Sequence, residues 1–339
     1  MTSTQAPAGS AAQDLAALLV PGSRVCLTTH INPDGDGLGS EVALVHLLRA
    51  RGIDAVICNP SPTPERFGFL FEDLPGVDRS AKAVVELRRA DLIIVLDIAE
   101  ISRLGGLATT VEERGVPVAC LDHHVGPGHL PEGPRYIDPT AAATGELLHR
   151  LAVELDWEIT PAVARALYVA LVTDTGSFRF ANTSPATLRT AAHLIECGAD
   201  PEQVYRDVYA SGPIGRPRLL AETLQTLVHE PEIGLTWLTV PTGALERHGV
   251  ASDDLDGVVE HARAVAGVRI ALLFREVSAG RVKVSFRSVG DVDVAALARQ
   301  FGGGGHTKAS GAAIVGTLDE VQSAVLAAAR AALATDTPT

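Results

Sequence analysis

Aromatic residues make up only 4% of the 339 positions, and the four cysteines, Cys26, Cys58, Cys120 and Cys197, form no CxxC pair. The first shortage argues against a long single-strand channel, in which successive bases stack on aromatic side chains. The first three cysteines sit inside apolar runs, so they read as buried, reduced thiols of a cytosolic protein. No Lys or Arg precedes Arg24, and the longest early apolar run, LAALLV, is too short for a signal-peptide core or a membrane span. The reading is a cytoplasmic protein with no membrane partner. Basic residues are outnumbered 28 to 41, and the net charge of -13 argues against wrapping long duplex nucleic acid. A small anionic substrate is still compatible with that balance, because bound cations would reverse the local field.

What is present is globular, with 46% hydrophobic and 20% charged residues. The chain is long enough for two domains, each with its own core. From Arg24 to about Ser184, short β-branched runs alternate with helix-period segments, the pattern of βαβ units around a mostly parallel sheet. The expected strands are 24–29, 54–58, 91–96 and 116–121. The segment PAVARALYVALVTDTG is apolar on nearly every face and reads as a buried helix. From about Ser184 to Pro231 the pattern is wholly helical. Strand and helix signals then mix to the end. The expected class is therefore α/β, with an N-terminal doubly wound domain over 13–190, a helical connector over 191–230 and a smaller α/β domain over 231–335.

Four segments carry chemistry. His30, Asp34 and Asp36 share a turn whose glycines at 35, 37 and 39 let the backbone return its side chains toward one point. Asp97 follows the strand LIIVL, Asp122-His123-His124 follows VACL, and Asp174 interrupts the buried helix at a place where an unpaired charge would be costly. Each segment alone could be an ordinary solvated turn or helix cap. Together they are stronger, because the carboxyl ends of strands in an open parallel sheet share one edge, where ligands bind. So many carboxylates at one edge repel one another unless divalent cations hold them. Oxygen donors with imidazole suit Mn²⁺ or Mg²⁺, and a pair of such ions roughly 4 Å apart is an arrangement used for phosphoryl displacement.

The order H-x-N-P-D-G-D-x-x-G-S, Asp97, DHH and Asp174, followed by V-S-F-R-S (284–288) and G-G-G-G-H-x-x-A-S-G (302–311), resembles the DHH/DHHA1 phosphoesterase superfamily. Within it, the chain is similar to the bacterial nano-RNase and pAp-phosphatase group. The resemblance implies that His30, Asp34 and Asp97 hold one Mn²⁺ and that Asp36, Asp97, His123 and Asp174 hold the other, with Asp97 bridging. It further implies that Asp122 orients His123 and that His124 meets the substrate phosphate.

The later motifs also have a reading of their own. Gly303, Gly304 and Gly305 expose backbone N–H groups, and His306 and Ser310 add donors suited to a phosphate or nucleotide edge. Between Arg269 and Lys308 lie seven basic and three acidic residues, a local +4 in an acidic chain. Arg287 and Ser288 are the expected phosphate-recognising pair, with Arg103 as an added candidate near Asp97. The expected activity is two-metal hydrolysis of short oligoribonucleotides and 3′-phosphoadenosine 5′-phosphate. The alternative is a phosphodiesterase for cyclic di-AMP or pApA, and a non-catalytic nucleotide sensor ranks below both. The resemblance also makes a homodimer plausible.

Overall fold

The computed structural model describes residues 8–98, 100–124, 129–255 and 257–335. Its contacts divide the chain into two units, with the boundary between Ser211 and Gly212. Among the described residues, no helix is long and apolar enough to cross a membrane. All four cysteines are free thiols; Cys26, Cys58 and Cys120 are buried.

The first unit is built on β1 (Arg24–Thr28), β2 (Asp54–Ile57), β3 (Leu92–Leu96), β4 (Val118–Asp122) and β5 (Arg135–Ile137). They lie in the order β2-β1-β3-β4-β5 with every pairing parallel. The four expected strands are therefore present and adjacent; β5, three residues long, was too short to leave a periodic signal. In chain order the helices of this unit are α1 (Ala8–Leu18), α2 (Gly35–Arg49), α3 (Ala83–Leu87), α4 (Ala108–Arg114), α5 (Thr144–Glu154), α6 (Pro161–Asp174), α7 (Pro185–Glu196) and α8 (Pro201–Tyr209).

Both faces of the sheet are covered because its strands are apolar on alternate residues toward both sides. Val25, Leu27, Ile94 and Leu96 join Leu44 of α2, Leu147 of α5 and Leu167 of α6 in one core. Cys26, Ile93 and Val95 join Leu87 of α3 and Val111 of α4 in the other. Helix α6 starts with Pro161 behind a Thr160 cap and is buried on most faces. It approaches α2 closely enough that a Cβ on Gly39 would stand 2.5 Å from Ala166 O. That contact sets the ends of these two helices, which carry Asp36 and Asp174, in fixed relation.

The stretch 191–230, read as a connector, is shared out between the units rather than standing apart. Leu194 of α7 and Val204 and Val208 of α8 pack into the first core. The next helix, α9 (Gly215–Leu224), buries Leu219 in the second unit. Each helix has an apolar face, and burying that face against a sheet domain removes it from water.

The second unit holds β6 (Val228–Glu230), β7 (Leu235–Thr239), β8 (Ile270–Ser278), β9 (Arg281–Ser288), β10 (Gly304–His306) and β11 (Ala309–Val315) in the order β10-β11-β9-β8-β7-β6. Only β7 and β8 pair in parallel. After α9, its helices are α10 (Ala244–His248), α11 (Val258–Arg263), α12 (Val294–Arg299) and α13 (Leu318–Thr335). Helices α12 and α13 cover one face of the sheet, through Leu297 and Val325 against Leu272 and Phe286. Helices α10 and α11 cover part of the other, through Ala244, Val259 and Ala262 against Ala271 and Leu273.

Candidate metal centre

The first motif follows β1. Asp34 caps α2, its Oδ1 accepting from the N–H groups of Asp36 at 3.1 Å and Gly37 at 3.2 Å. Its Oδ2 lies 3.8 Å from His30 Nε2. His30 is buried, and its Nδ1 donates to Ile31 O at 2.9 Å, which turns Nε2 toward the carboxylates. That atom is buried without a hydrogen-bond partner, 3.4 Å from Asp97 Oδ2. His123 is set up in the same way. Its Nδ1 donates to Ala141 O at 3.3 Å, and its Nε2 faces Asp36 Oδ2 at 3.6 Å, Asp97 Oδ1 at 3.5 Å and Asp174 Oδ2 at 3.5 Å.

An imidazole nitrogen aimed at carboxylate oxygens is stable there only with a proton or a metal cation between them. A carbonyl bound to the far ring nitrogen is the usual support of a metal-ligating histidine. Donor atoms on one ion, each bound at about 2.1 Å, stand roughly 3.0–3.5 Å apart, close to the spacings here. His30, Asp34 and Asp97 form one set able to hold an ion, and Asp36, His123 and Asp174 form another. Asp97 stands between them, with Oδ2 toward His30 and Oδ1 toward His123. The donors thus suit hard or borderline divalent cations.

Electrostatics reports the same crowding. Burial alone would lower the His30 pKa, yet Asp34 and Asp97 raise it to about 10. His123 is likewise raised to about 10, against burial, by Asp97, Asp36 and Asp174. Burial first, and then the Asp97 charge, pushes Asp174 up to about 7, although His123 opposes the rise. Asp36 is driven upward by burial and by Asp97 and Asp174. Burial and mutual repulsion both disfavour the ionised carboxylates of Asp36 and Asp174, a penalty that a bound cation relieves.

The backbone is unusual at the same place. Among the described residues, the non-glycine positions with positive φ are Asn32, Asp97, Ser177 and Phe178, in or next to the candidate-site loops, and Asp156, which is not. Asp97 at φ 63° reverses the chain as it leaves β3, bringing its carboxylate back over the strand ends.

One assignment changes. Asp122, buried at the end of β4, was expected to orient His123. Its Oδ1 instead accepts from His124, from Nδ1 at 2.7 Å and from the backbone N–H at 3.2 Å. The tight turn after β4 curls His124 back onto Asp122 and sends His123 across to the α5 side.

Sequence reading missed several supports of the cluster. The N-terminal N–H groups of α5 point at Asp36: Thr144 N donates to Oδ2 at 2.7 Å and Gly145 N to Oδ1 at 2.9 Å. Thr144 Oγ1 donates to Asp97 Oδ1 at 3.2 Å. Asn182 Nδ2 donates to Ala142 O and Asp174 O, tying the segment before α5 to the end of α6. The only signal for this was a Thr-Gly pair opening the apolar helix ELLHRLAV, a common local pattern. Arg103 contributes through its main chain, its O accepting from Ile31 N at 3.0 Å, while the residue is exposed.

In the second unit the glycine run is not a free loop. Gly304–His306 is the edge strand β10, pairing Gly304 with Gly311, Gly305 with Ser310 and His306 with Ala309. The hairpin is so close that a Cβ on Gly303 would stand 2.2 Å from Gly311 O. Gly304, Gly305 and His306 are exposed, and the outer edge of the strand presents backbone groups. Ser288 and Ser310 are buried and shape this region: Ser288 Oγ donates to Val292 O and Ser310 Oγ to His306 O, both at 2.8 Å. Their hydroxyl protons are taken up by these carbonyls. Arg287 is partly exposed on β9.

Residues 24–171 match the N-terminal domain of the DHH family, and residues 236–335 match the DHHA1 domain. The chain is 34% identical over 310 residues to the bifunctional oligoribonuclease and PAP phosphatase NrnA of Thermus thermophilus, covering 90% of this chain and 89% of that protein. The protein of the same name from Bacillus subtilis is 28% identical over 297 residues, with 86% and 89% covered. An exopolyphosphatase-related protein from Bacteroides fragilis has the same fold, at a TM-score of 0.89 with 22% identity, over 99% of this chain and 98% of that one. With both domain matches in order and a relative of this identity spanning most of its length, the chain belongs to the DHH family of phosphoesterases, in the group that carries a DHHA1 domain.

Proposed function

We propose that this chain is a phosphoesterase that uses two divalent cations, most suitably Mn²⁺, to hydrolyse short oligoribonucleotides and 3′-phosphoadenosine 5′-phosphate to mononucleotides. The observation that carries the reading is Asp97, whose two oxygens face two histidines from separate donor sets. The relatives named as oligoribonuclease and PAP phosphatase support the substrate class. His30, Asp34 and Asp97 would hold one ion and Asp36, Asp97, His123 and Asp174 the other. When bound, such a pair supplies activation of water at neutral pH and neutralisation of charge on a phosphoryl group.

The rest is done by the chain itself. His124, with Nδ1 donated to Asp122, is oriented to meet a phosphate oxygen. Thr144 and Gly145 hold the Asp36 carboxylate, and Ala141 holds the His123 ring, so neither has to be ordered during the reaction. Arg287, His306 and the exposed edge of β10 are read as nucleotide-binding elements, and Arg103 as a weaker one. A cytoplasmic setting and a homodimer complete the proposal; light scattering checks the latter.

The test is the initial rate with Mn²⁺ on 3′-phosphoadenosine 5′-phosphate, pApA, cyclic di-AMP, a five-nucleotide RNA and pyrophosphate, with His123→Ala as control. Turnover of the first two and of the short RNA, lost in the variant, is expected. A clear preference for cyclic di-AMP would move the assignment to second-messenger degradation. Unchanged turnover in His123→Ala would overturn the metal assignment.

A further inference from the structure

We propose that Glu260, on α11, is a positioning residue for nucleotide recognition and acts by fixing the guanidinium of Arg287. The inference rests on reading Arg287 as a nucleotide-binding residue. Arg287 Nε donates to Glu260 Oε1 at 2.9 Å, and Arg287 Nη1 donates to Phe286 O at 3.0 Å. The planar fork is thereby held at two of its three nitrogens. Among the described residues the guanidinium hydrogen bonds run from Nε and Nη1, and the side chain is 28% exposed.

The sheet register shows where this fork sits. Ala309 of β11 pairs with Arg287 on one side and with His306 on the other, so the three side chains share one face. Helix α11 lies over β7, β8 and part of β9 on that face, with Val259 and Ala262 in the core beneath it. Beyond it, Ser285 and Arg287 of β9 and Ala309 and Gly311 of β11 are half-buried. Glu260 therefore stands at the rim between the covered core and an open platform of small residues, with Arg287 and His306 on either side of Ala309. Its other oxygen pairs with Arg263 Nε at 2.6 Å, so one carboxylate is shared by two arginines and the cluster stays net positive.

Charge and geometry predict opposite outcomes. If Glu260 acted only through its charge, removing it would strengthen binding of an anion. If it fixes Arg287, truncation weakens binding and an uncharged acceptor of the same shape restores it. KM and kcat for pApA with Mn²⁺ are measured for wild type, Glu260→Ala, Glu260→Gln, Arg287→Ala and the Glu260→Ala/Arg287→Ala double variant. The expected result is a rise in KM of about tenfold in Glu260→Ala, the scale of one charge-assisted hydrogen bond, with much less change in kcat. Glu260→Gln is expected near wild type, and Glu260→Ala should add nothing once Arg287 is gone. An unchanged or lowered KM in Glu260→Ala, or full additivity in the double variant, overturns the proposal.

A second readout needs no turnover. The Arg287 Nε–H resonance, assigned by its loss in Arg287→Ala, is expected to be protected from exchange in wild type and in Glu260→Gln. It is expected to lose protection in Glu260→Ala. Retained protection there overturns the pairing. Absence of turnover in wild type would instead sink the functional reading and leave the pairing to be judged by this resonance.

Discussion

Asp122 and His124 form a closed pair within one turn of chain, with Asp122 Oδ1 2.7 Å from His124 Nδ1. The carboxylate is fully buried and the imidazole is partly exposed, so the pair holds a proton at Nδ1 and directs the rest of the ring outward. His123, one residue earlier, takes its support from the Ala141 carbonyl instead. The adjacent histidines thus have different hydrogen-bond supports, although both lie near Asp97 Oδ1, at 3.5 Å from His123 Nε2 and 3.6 Å from His124 Nδ1.

That division makes Asp122→Asn informative. The substitution should lower kcat by about 10- to 100-fold, the usual scale for a group that orients an active-site histidine, with little change in Mn²⁺ affinity. Steady-state rates and calorimetric titration with the metal alone check it. Loss of metal affinity with intact kcat at saturating Mn²⁺ would return Asp122 to His123.

Asp97 should matter to both ions. Calorimetry on wild type is expected to find two Mn²⁺ sites, Asp34→Ala should retain one, and Asp97→Ala should lose high-affinity binding at both. Chelation should abolish hydrolysis and Mn²⁺ restore it. Added Mn²⁺ should also raise the melting temperature of wild type but not of Asp97→Ala, because a ligand that binds only the folded state stabilises it.

Glu41, buried on α2, accepts from Asn59 Nδ2 at 2.8 Å, and Asn59 Oδ1 accepts from Thr29 N, next to His30. Burial pushes the Glu41 carboxyl from 4.5 to about 8, despite the Asn59 hydrogen bond. The folded state therefore keeps a proton that the unfolded chain gives up. This contribution is fully present below about pH 4.5 and is lost as pH rises toward 8, an effect on the order of a few kcal/mol. Urea denaturation of Glu41→Gln should show a weaker decline of stability across that window than wild type. Parallel curves would show that Glu41 is ionised throughout.

Gly39→Ala should destabilise the first unit by about 1–3 kcal/mol, because the new methyl meets a backbone carbonyl rather than a movable side chain. Separating α2 from α6 also moves Asp36 relative to Asp174, so Mn²⁺ affinity should fall with stability. A melt and a metal titration on the same sample check both.

The candidate metal ligands were legible because their chemistry is local. A carboxylate inside a buried helix, or paired histidines after a core strand, needs an explanation wherever it folds, and the strand pattern already placed most of these residues at one edge. The β10–β11 hairpin was not legible, since glycine has no side chain to alternate. Read only as a run of exposed backbone N–H groups, it is an edge strand through its pairing with β11.

Residue identity and order thus established the α/β class, the six metal-binding candidates and the type of ion they suit, because hydrophobic period and donor type are properties of the chain itself. Which donor faces which was settled in three dimensions. Asp97 lies between two histidines, Asp122 serves His124 rather than His123, α5 aims its N–H groups at Asp36, and Glu260 holds Arg287. Each of these depends on where a helix end or a turn lies relative to a strand far away in sequence, and that placement comes from packing of the whole core.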